Sequence, residues 1–195
     1  MKGEIDLDTF GIYEGISETI VTTIRGWASN AAPMGIIRKK DKLFIRLFKG
    51  STTYDNVLTE KILVANIIWD PLVFVNSTFS DIEDKEFESI SYNGRTFTAL
   101  KNSQSWIAFE CTNTKLTSES MVTELIPLRT HINKCLIRAP NRGLFAVIEA
   151  CIHATRYQIT GEGKYLRLIK AYGDIANKCG GEEEKKAMEM LYSYL

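Results

Sequence analysis

Two histidines and four cysteines in 195 residues leave little material for metal or dithiol chemistry. His131 and His153 stand too far apart in the chain to name a zinc site. Cys111, Cys135, Cys151 and Cys179 contain no C-x-x-C pair, so buried free thiols are expected. Net charge is lacking too: 24 basic residues balance 24 acidic ones, and no general field draws the chain toward nucleic acid or an anionic membrane. No apolar run approaches transmembrane length. Residues 1–6 carry acids where a secretory leader needs an apolar run, so a cytoplasmic location is expected and the triplet Asn76-Ser77-Thr78 has no glycosylating enzyme to meet. No G-x-G-x-x-G follows a strand, which argues against a resident dinucleotide fold. Gly161-Glu162-Gly163-Lys164 fails as a phosphate loop, because Gln158 and Tyr165 stand where glycine and a hydroxyl residue are needed.

What remains is an ordinary globular composition, 45% hydrophobic and 25% charged, long enough to bury a sizeable core. Residues 16–24 are β-branched and roughly alternating, as a strand requires. Residues 31–38 and 42–48 read as a hairpin whose second strand turns Leu43, Ile45 and Leu47 to one side and Lys42, Phe44, Arg46 and Phe48 to the other. A short helix through about residue 61 follows a cap at Ser51 or Thr52, then a strand over 62–68. Residues 72–79 read equally as a short helix or an interface element, and the acidic run 81–88 as a solvated connection. Asn93-Gly94 tolerates positive φ and predicts a hairpin between 89–92 and 95–99. Further strands are expected at 106–112 and within 121–138. Strands joined by short turns with one inserted helix predict a closed or partly closed antiparallel barrel.

The character changes at Pro140-Asn141-Arg142-Gly143. Segments 144–157, 164–178 and 182–195 carry apolar residues at helical spacing, the middle one through Leu166, Ile169, Tyr172, Ile175 and Ala176. The expected division is a barrel over 1–139 and a helical C-terminal region over 140–195.

Two stretches carry the chemistry. In Asn30-Ala31-Ala32-Pro33-Met34-Gly35 the side chains are short, so a planar ring can approach strand amides and carbonyls, with Met34 as a polarizable contact. A tightly packed core strand would look the same. In Lys49-Gly50-Ser51-Thr52-Thr53-Tyr54-Asp55-Asn56-Val57, a glycine bend leads into three hydroxyls at a helix start, with Lys49 and Arg46 available to neutralise a phosphate. Simple helix capping would need only one of those hydroxyls. Together the stretches suggest flavin mononucleotide (FMN). Arg142, at a helix start beside Asn141, is a further candidate to reach a ligand or a partner subunit. Glu149, His153 and Arg156 share a helical face that suits a polar interface better than a catalytic group.

These two stretches, with Trp69-Asp70-Pro71-Leu72-Val73-Phe74 and Pro140-Asn141-Arg142-Gly143-Leu144, resemble the DUF447 proteins, an uncharacterised archaeal family, over nearly the whole chain. That family is similar to the flavin reductase-like split β-barrels, which bind FMN, usually at a dimer interface. The resemblance implies that Asn30, Ala31, Ala32, Pro33, Met34 and Gly35 line the isoalloxazine. It likewise implies that Ser51, Thr52 and Thr53, with Asn56, hold the ribityl phosphate, and that Thr22 and Thr23 are weaker candidates for ring contacts.

The expected protein is therefore a homodimeric split β-barrel of the FMN-binding type with a helical C-terminal region, holding FMN without covalent attachment and acting as a flavin-dependent oxidoreductase on a small-molecule electron donor or acceptor. A non-enzymatic flavin carrier or redox sensor is the alternative. A partner protein with an empty barrel is a third class, hinted at only by the balanced charge and by 72–79, where loss of solubility on Phe74→Asp without loss of flavin would support an interface.

Overall fold

The first three strands are β1 (Gly15–Arg25), rich in β-branched residues, β2 (Ala28–Lys39) and β3 (Lys42–Phe48). On β3 the alternation settles the facing as expected: Leu43, Ile45 and Leu47 are buried, while Lys42, Arg46 and Phe48 are exposed. With β4 (Ile62–Ile67), β7 (Ser105–Leu116) and β8 (Ser120–Ile132) they close a six-stranded antiparallel barrel in the order β1-β2-β3-β8-β7-β4. Val21, Ile36, Ile45, Leu63, Ile107 and Phe109 fill its interior, each large side chain contributing roughly 1.5–3 kcal/mol of burial. Between β3 and β4, α1 (Thr52–Glu60) adds Tyr54 and Val57 to that core.

The hairpin β5 (Phe87–Tyr92) and β6 (Arg95–Leu100) turns at Asn93 and Gly94, with φ of +50° and +71°, the two positive angles of a type I′ turn. Its Ile90, Phe97 and Ala99 pack on Ile62, Val64, Trp106 and Ala108, the outward-facing residues of β4 and β7. Covered on both faces, β4 is apolar at nearly every position rather than alternating. One polar residue sits in that seam. Asn66, fully buried, donates to the Ile20 carbonyl (2.8 Å) and the Thr22 hydroxyl (3.0 Å) and accepts from the Leu100 amide (2.8 Å).

The described residues, 5–195 of this computed structural model, divide into two units. The barrel unit comprises 5–68 and Ile82–Leu136; the helical unit comprises Trp69–Asp81 and Ile137–Leu195. The change of unit at 136/137 lies three residues from the expected boundary at 139/140, but 69–81 belongs with the helices. That stretch forms α2 (Pro71–Phe79), started by Asp70, whose carboxylate accepts from the Leu72 and Val73 amides, and by Pro71 in the first turn. Of the two readings left open for 72–79, the short helix is found, and its Phe74 is buried.

The remaining helices are α3 (Arg142–Thr160), α4 (Gly163–Cys179) and α5 (Glu182–Ser193). Val75, Val147, Cys151, Ile169, Met188 and Leu191 meet in their core. Ile169 and Ala176 of the expected α4 stripe are buried, whereas Leu166 is exposed. Gly143 is required by contact: a Cβ there would lie 2.4 Å from the Gly180 Cα. Glu184, buried, accepts from the Gly181 amide (2.7 Å), Asn141 Nδ2 (3.0 Å) and Arg138 Nη2 (3.3 Å), locking the start of α5 to the segment before α3.

The expectation of buried thiols holds for Cys111 and Cys151, whose burial pushes each pKa up to about 12. It fails for Cys135, which is exposed in the segment between β8 and α3. Among the described residues no helix is long and apolar enough to cross a membrane. The leader expectation rests largely on residues 1–4, outside the described residues.

Candidate functional site

The candidate residues gather where β1 ends, β2 begins and α1 starts. Thr23 and Asn30 are opposite each other in the β1–β2 register, and each reaches α1: Asn56 Nδ2 donates to the Thr23 hydroxyl (2.9 Å), and Asn30 Nδ2 to the Thr53 hydroxyl (3.0 Å). Thr23, Thr53 and Asn56 are all buried. Four residues named for the ligand thus brace α1 against the strands, and their pairing was not visible in the sequence, because register is a tertiary property.

The three consecutive hydroxyls diverge. Ser51 caps α1, its hydroxyl donating to the Phe48 carbonyl (2.9 Å) and accepting from the Tyr54 amide (3.2 Å). Thr53 points inward to Asn30, and Thr52 alone is exposed. The first bond in the helical frame runs from the Asp55 amide to the Ser51 carbonyl (3.2 Å), so the amides of Thr52 and Thr53 have no intrahelical partner. Gly50, with φ of +86°, makes the bend before them. Arg46 and Lys49 are exposed, and among the described residues neither forms an ion pair. This turn therefore offers two unpaired cations, a free hydroxyl and the positive end of a helix to an anion.

The strand 30–35 alternates. Asn30, Ala32 and Met34 share the side of Ile36, which faces the barrel core, and Met34 packs against that core. Ala31, Pro33 and Gly35 face the other way. Ala31 is buried beside its register partner Thr22, whose hydroxyl donates to the Thr98 carbonyl. Thr22 thus serves the joint between barrel and hairpin. Gly35 lies under Ile16, whose Cγ2 would be 2.7 Å from an added Cβ. The half-exposed backbone from Ala32 to Gly35 is the part of this strand that remains open to a flat partner.

Outside this cluster, Arg142 is the exposed first residue of α3 in the helical unit. His153 is buried there, its ring 6.0 Å from Tyr165 and 5.5 Å from Tyr172, while Glu149 and Arg156 stay exposed. Burial first, and then the Arg156 charge, hold the His153 pKa below its ordinary value, with Glu149 opposing. Among the described residues no cluster of His, Cys, Asp and Glu could hold a metal ion. Sequence reasoning missed Asn66 and Glu184, two polar residues at buried joints, because neither stands in a motif.

The family of unknown function DUF447 matches this chain twice, through its N-terminal domain over residues 17–134 and its C-terminal part over 141–193. The chain belongs to the DUF447 family. Among solved structures, the FMN-bound DUF447 protein MM1853 of Methanosarcina mazei is 50% identical, covering 97% of this chain and all of that one, with a TM-score of 0.93. The uncharacterized protein MJ1453 of Methanocaldococcus jannaschii is 26% identical, covering 90% of this chain and 96% of that protein. A flavoredoxin of Methanosarcina acetivorans, 13% identical, covers 70% of this chain and 82% of that chain with a TM-score of 0.51, a likeness of fold alone. The expected fold class is found in this DUF447 chain, a six-stranded antiparallel barrel followed by C-terminal helices.

Proposed function

We propose that this DUF447 protein binds FMN without covalent attachment at the α1 turn and the adjoining β2 strand. The observation that carries the reading is the FMN-bound state of MM1853, 50% identical over nearly the whole chain. The residues here fit the group. Lys49, Arg46, the Thr52 hydroxyl and the Thr52 amide would hold the phosphate, where charge-assisted bonds contribute about 1.5–3 kcal/mol each. The backbone of Ala32, Pro33, Met34 and Gly35 would face the ring, while Asn30, Thr53, Thr23 and Asn56 keep α1 in place. Ala31 and Thr22 act from behind the strand, and Arg142 is a further candidate to reach a ligand or a partner subunit. Bound FMN supplies hydride or single-electron transfer.

The reaction proposed is oxidation and reduction of a small-molecule donor or acceptor, in a homodimer whose interface adjoins the flavin. A carrier or redox sensor is the second reading. It is favoured by the internal pairing of Asn30, Thr23, Thr53 and Asn56, which commits these polar groups to holding α1 rather than to moving protons.

The first test is the visible spectrum of protein purified without added cofactor, with mass identification of what denaturation releases. Oxidised-flavin bands and FMN in near-equal amount to protein are expected. A colourless protein that takes up no added FMN overturns the proposal. Rapid reoxidation linked to a reduced nicotinamide or deazaflavin selects the enzyme; tight retention without turnover selects the carrier. Sedimentation as a monomer with FMN bound overturns the dimer.

A further inference from the structure

We infer that the outer stripe of α3 docks against the same stripe of a second copy of this chain, the two helices antiparallel about a two-fold axis beside Ile152; the inference does not rest on the flavin reading. α3 is apolar on two sides. Val147, Ala150, Cys151 and Ala154 are buried in the core of the helical unit. On the other side stand Phe145, Ile148, Ile152, Thr155 and Ile159, spaced by three, four, three and four residues. At 3.6 residues per turn they fall within an arc of about 80°, and the alternation of three and four is that of the heptad seam through which helices pair.

The stripe is open. Phe145 is 46% exposed and Ile159 84%, while Ile148, Ile152 and Thr155 are half-buried. The one polar member, Thr155, donates its hydroxyl to the Ile152 carbonyl (2.9 Å), so its polar group is satisfied within α3. Trp69, half-buried and with its ring centroid 6.2 Å from that of Phe145, widens the patch at the start of the helix. A helix with one buried side should be polar on the other. Here the apolar stripe runs instead for about 21 Å at helical rise, a continuity that marks a contact surface rather than scattered exposed residues.

Charge selects the occupant. Glu149 and Arg156 border the stripe along the same edge, both are exposed, and among the described residues neither forms an ion pair. Glu149 stands three residues before Ile152 and Arg156 four after it. A two-fold axis between them, perpendicular to the helix, carries each edge onto itself with its direction reversed. It therefore sets Glu149 of each copy opposite Arg156 of the other, two ion pairs from one operation. A parallel pair keeps Glu149 level with Glu149 and makes neither. The same axis puts Ile152 beside its own counterpart and Phe145 near Ile159 of the other copy, an apolar centre with a charged rim. For an unrelated partner, acid and base balanced about Ile152 would have no purpose.

The test is sedimentation of the full-length protein across micromolar concentrations, with circular dichroism to confirm folding. The native protein is expected to associate, and Ile152→Glu to halve its mass. Glu149→Arg should weaken the association by roughly tenfold, and Glu149→Arg combined with Arg156→Glu should restore it, because both pairs are remade with their signs exchanged. These two positions are exposed, so the charge variants report even if Ile152→Glu fails to fold. In a Cys135→Ser background, Ile152→Cys should cross-link to its own counterpart under mild oxidation and Ile159→Cys should not. Self-linking at 159 instead of 152 overturns the antiparallel arrangement. An unchanged mass in folded Ile152→Glu, or a charge reversal that the exchange does not rescue, overturns this inference alone. A native protein that sediments as a monomer throughout overturns it together with the dimer, and leaves FMN binding standing.

Discussion

Asn66 and the first turn of α1 belong to the same barrel unit, and both are rich in hydrogen-bonding groups, but they use them in opposite ways. Asn66 is sealed: its amide bonds Ile20, Thr22 and Leu100. The α1 turn is divided. The Ser51 and Thr53 side chains are satisfied within the protein, while Thr52, Lys49 and Arg46 are exposed and among the described residues neither cation forms an ion pair. A buried polar group left unpaired would destabilise the fold, so pairing there is obligatory. Polar groups held open on a braced backbone cost little in water and favour a ligand when one arrives. The contrast separates polar residues that join elements from those free to bind.

The largest effect should come from Asn66→Ala. Truncation leaves the Leu100 amide and the Ile20 carbonyl buried without partners, at about 1–3 kcal/mol each, so chemical denaturation should show a loss of about 3 kcal/mol. Hydrogen exchange should quicken across 87–100, with FMN affinity little changed. Unchanged stability would mean that the seam takes up water and is not sealed.

Lys49→Ala combined with Thr52→Ala should do the reverse, lowering FMN affinity by roughly tenfold or more while stability stays within about 0.5 kcal/mol. If affinity holds, the open half of the turn is not the phosphate site. Ser51→Ala lies between the two: loss of the cap should cost about 1 kcal/mol of stability, with a smaller effect on FMN than the double variant. A larger effect on FMN than on stability would return Ser51 to the ligand.

The smallest effect concerns His153, buried like Asn66 but with Nδ1 unpartnered. Its pKa is lowered in the folded state, so the neutral form is favoured there and the unfolded chain binds the proton more readily. Its contribution is complete above the ordinary value of 6.5 and is lost as pH falls below that value toward the lowered one. Stability measured near neutrality and at mildly acid pH should therefore fall less in His153→Gln than in the native protein, by under about 1.4 kcal/mol per pH unit. An equal fall in both would assign the acid sensitivity elsewhere.

Local chemistry made much of this legible in advance. Asn93-Gly94 specifies its hairpin because few residue pairs accept two positive φ angles, and Ser51 specifies the start of α1 because its oxygen can take an orphan amide. The alternation of β3 fixed its facing. The joints were not legible. Asn66 and Glu184 look like surface residues in sequence, and 72–79 is too short and too uniformly apolar for periodicity to decide between helix and interface. Only contact with α3 and α5 shows that α2 belongs to the helical unit.

The sequence by itself determined most of the strands, turns and helices, the balanced charge, and the residue types around the candidate site, since all of these follow from short-range propensity and composition. Tertiary structure alone decided which of those residues are free. Register set Thr23 opposite Asn30, α1 took up their hydrogen bonds together with Thr53 and Asn56, and Arg46, Lys49 and Thr52 stayed exposed. A side chain's availability depends on neighbours distant in the chain, and closure of the barrel is what brings them together.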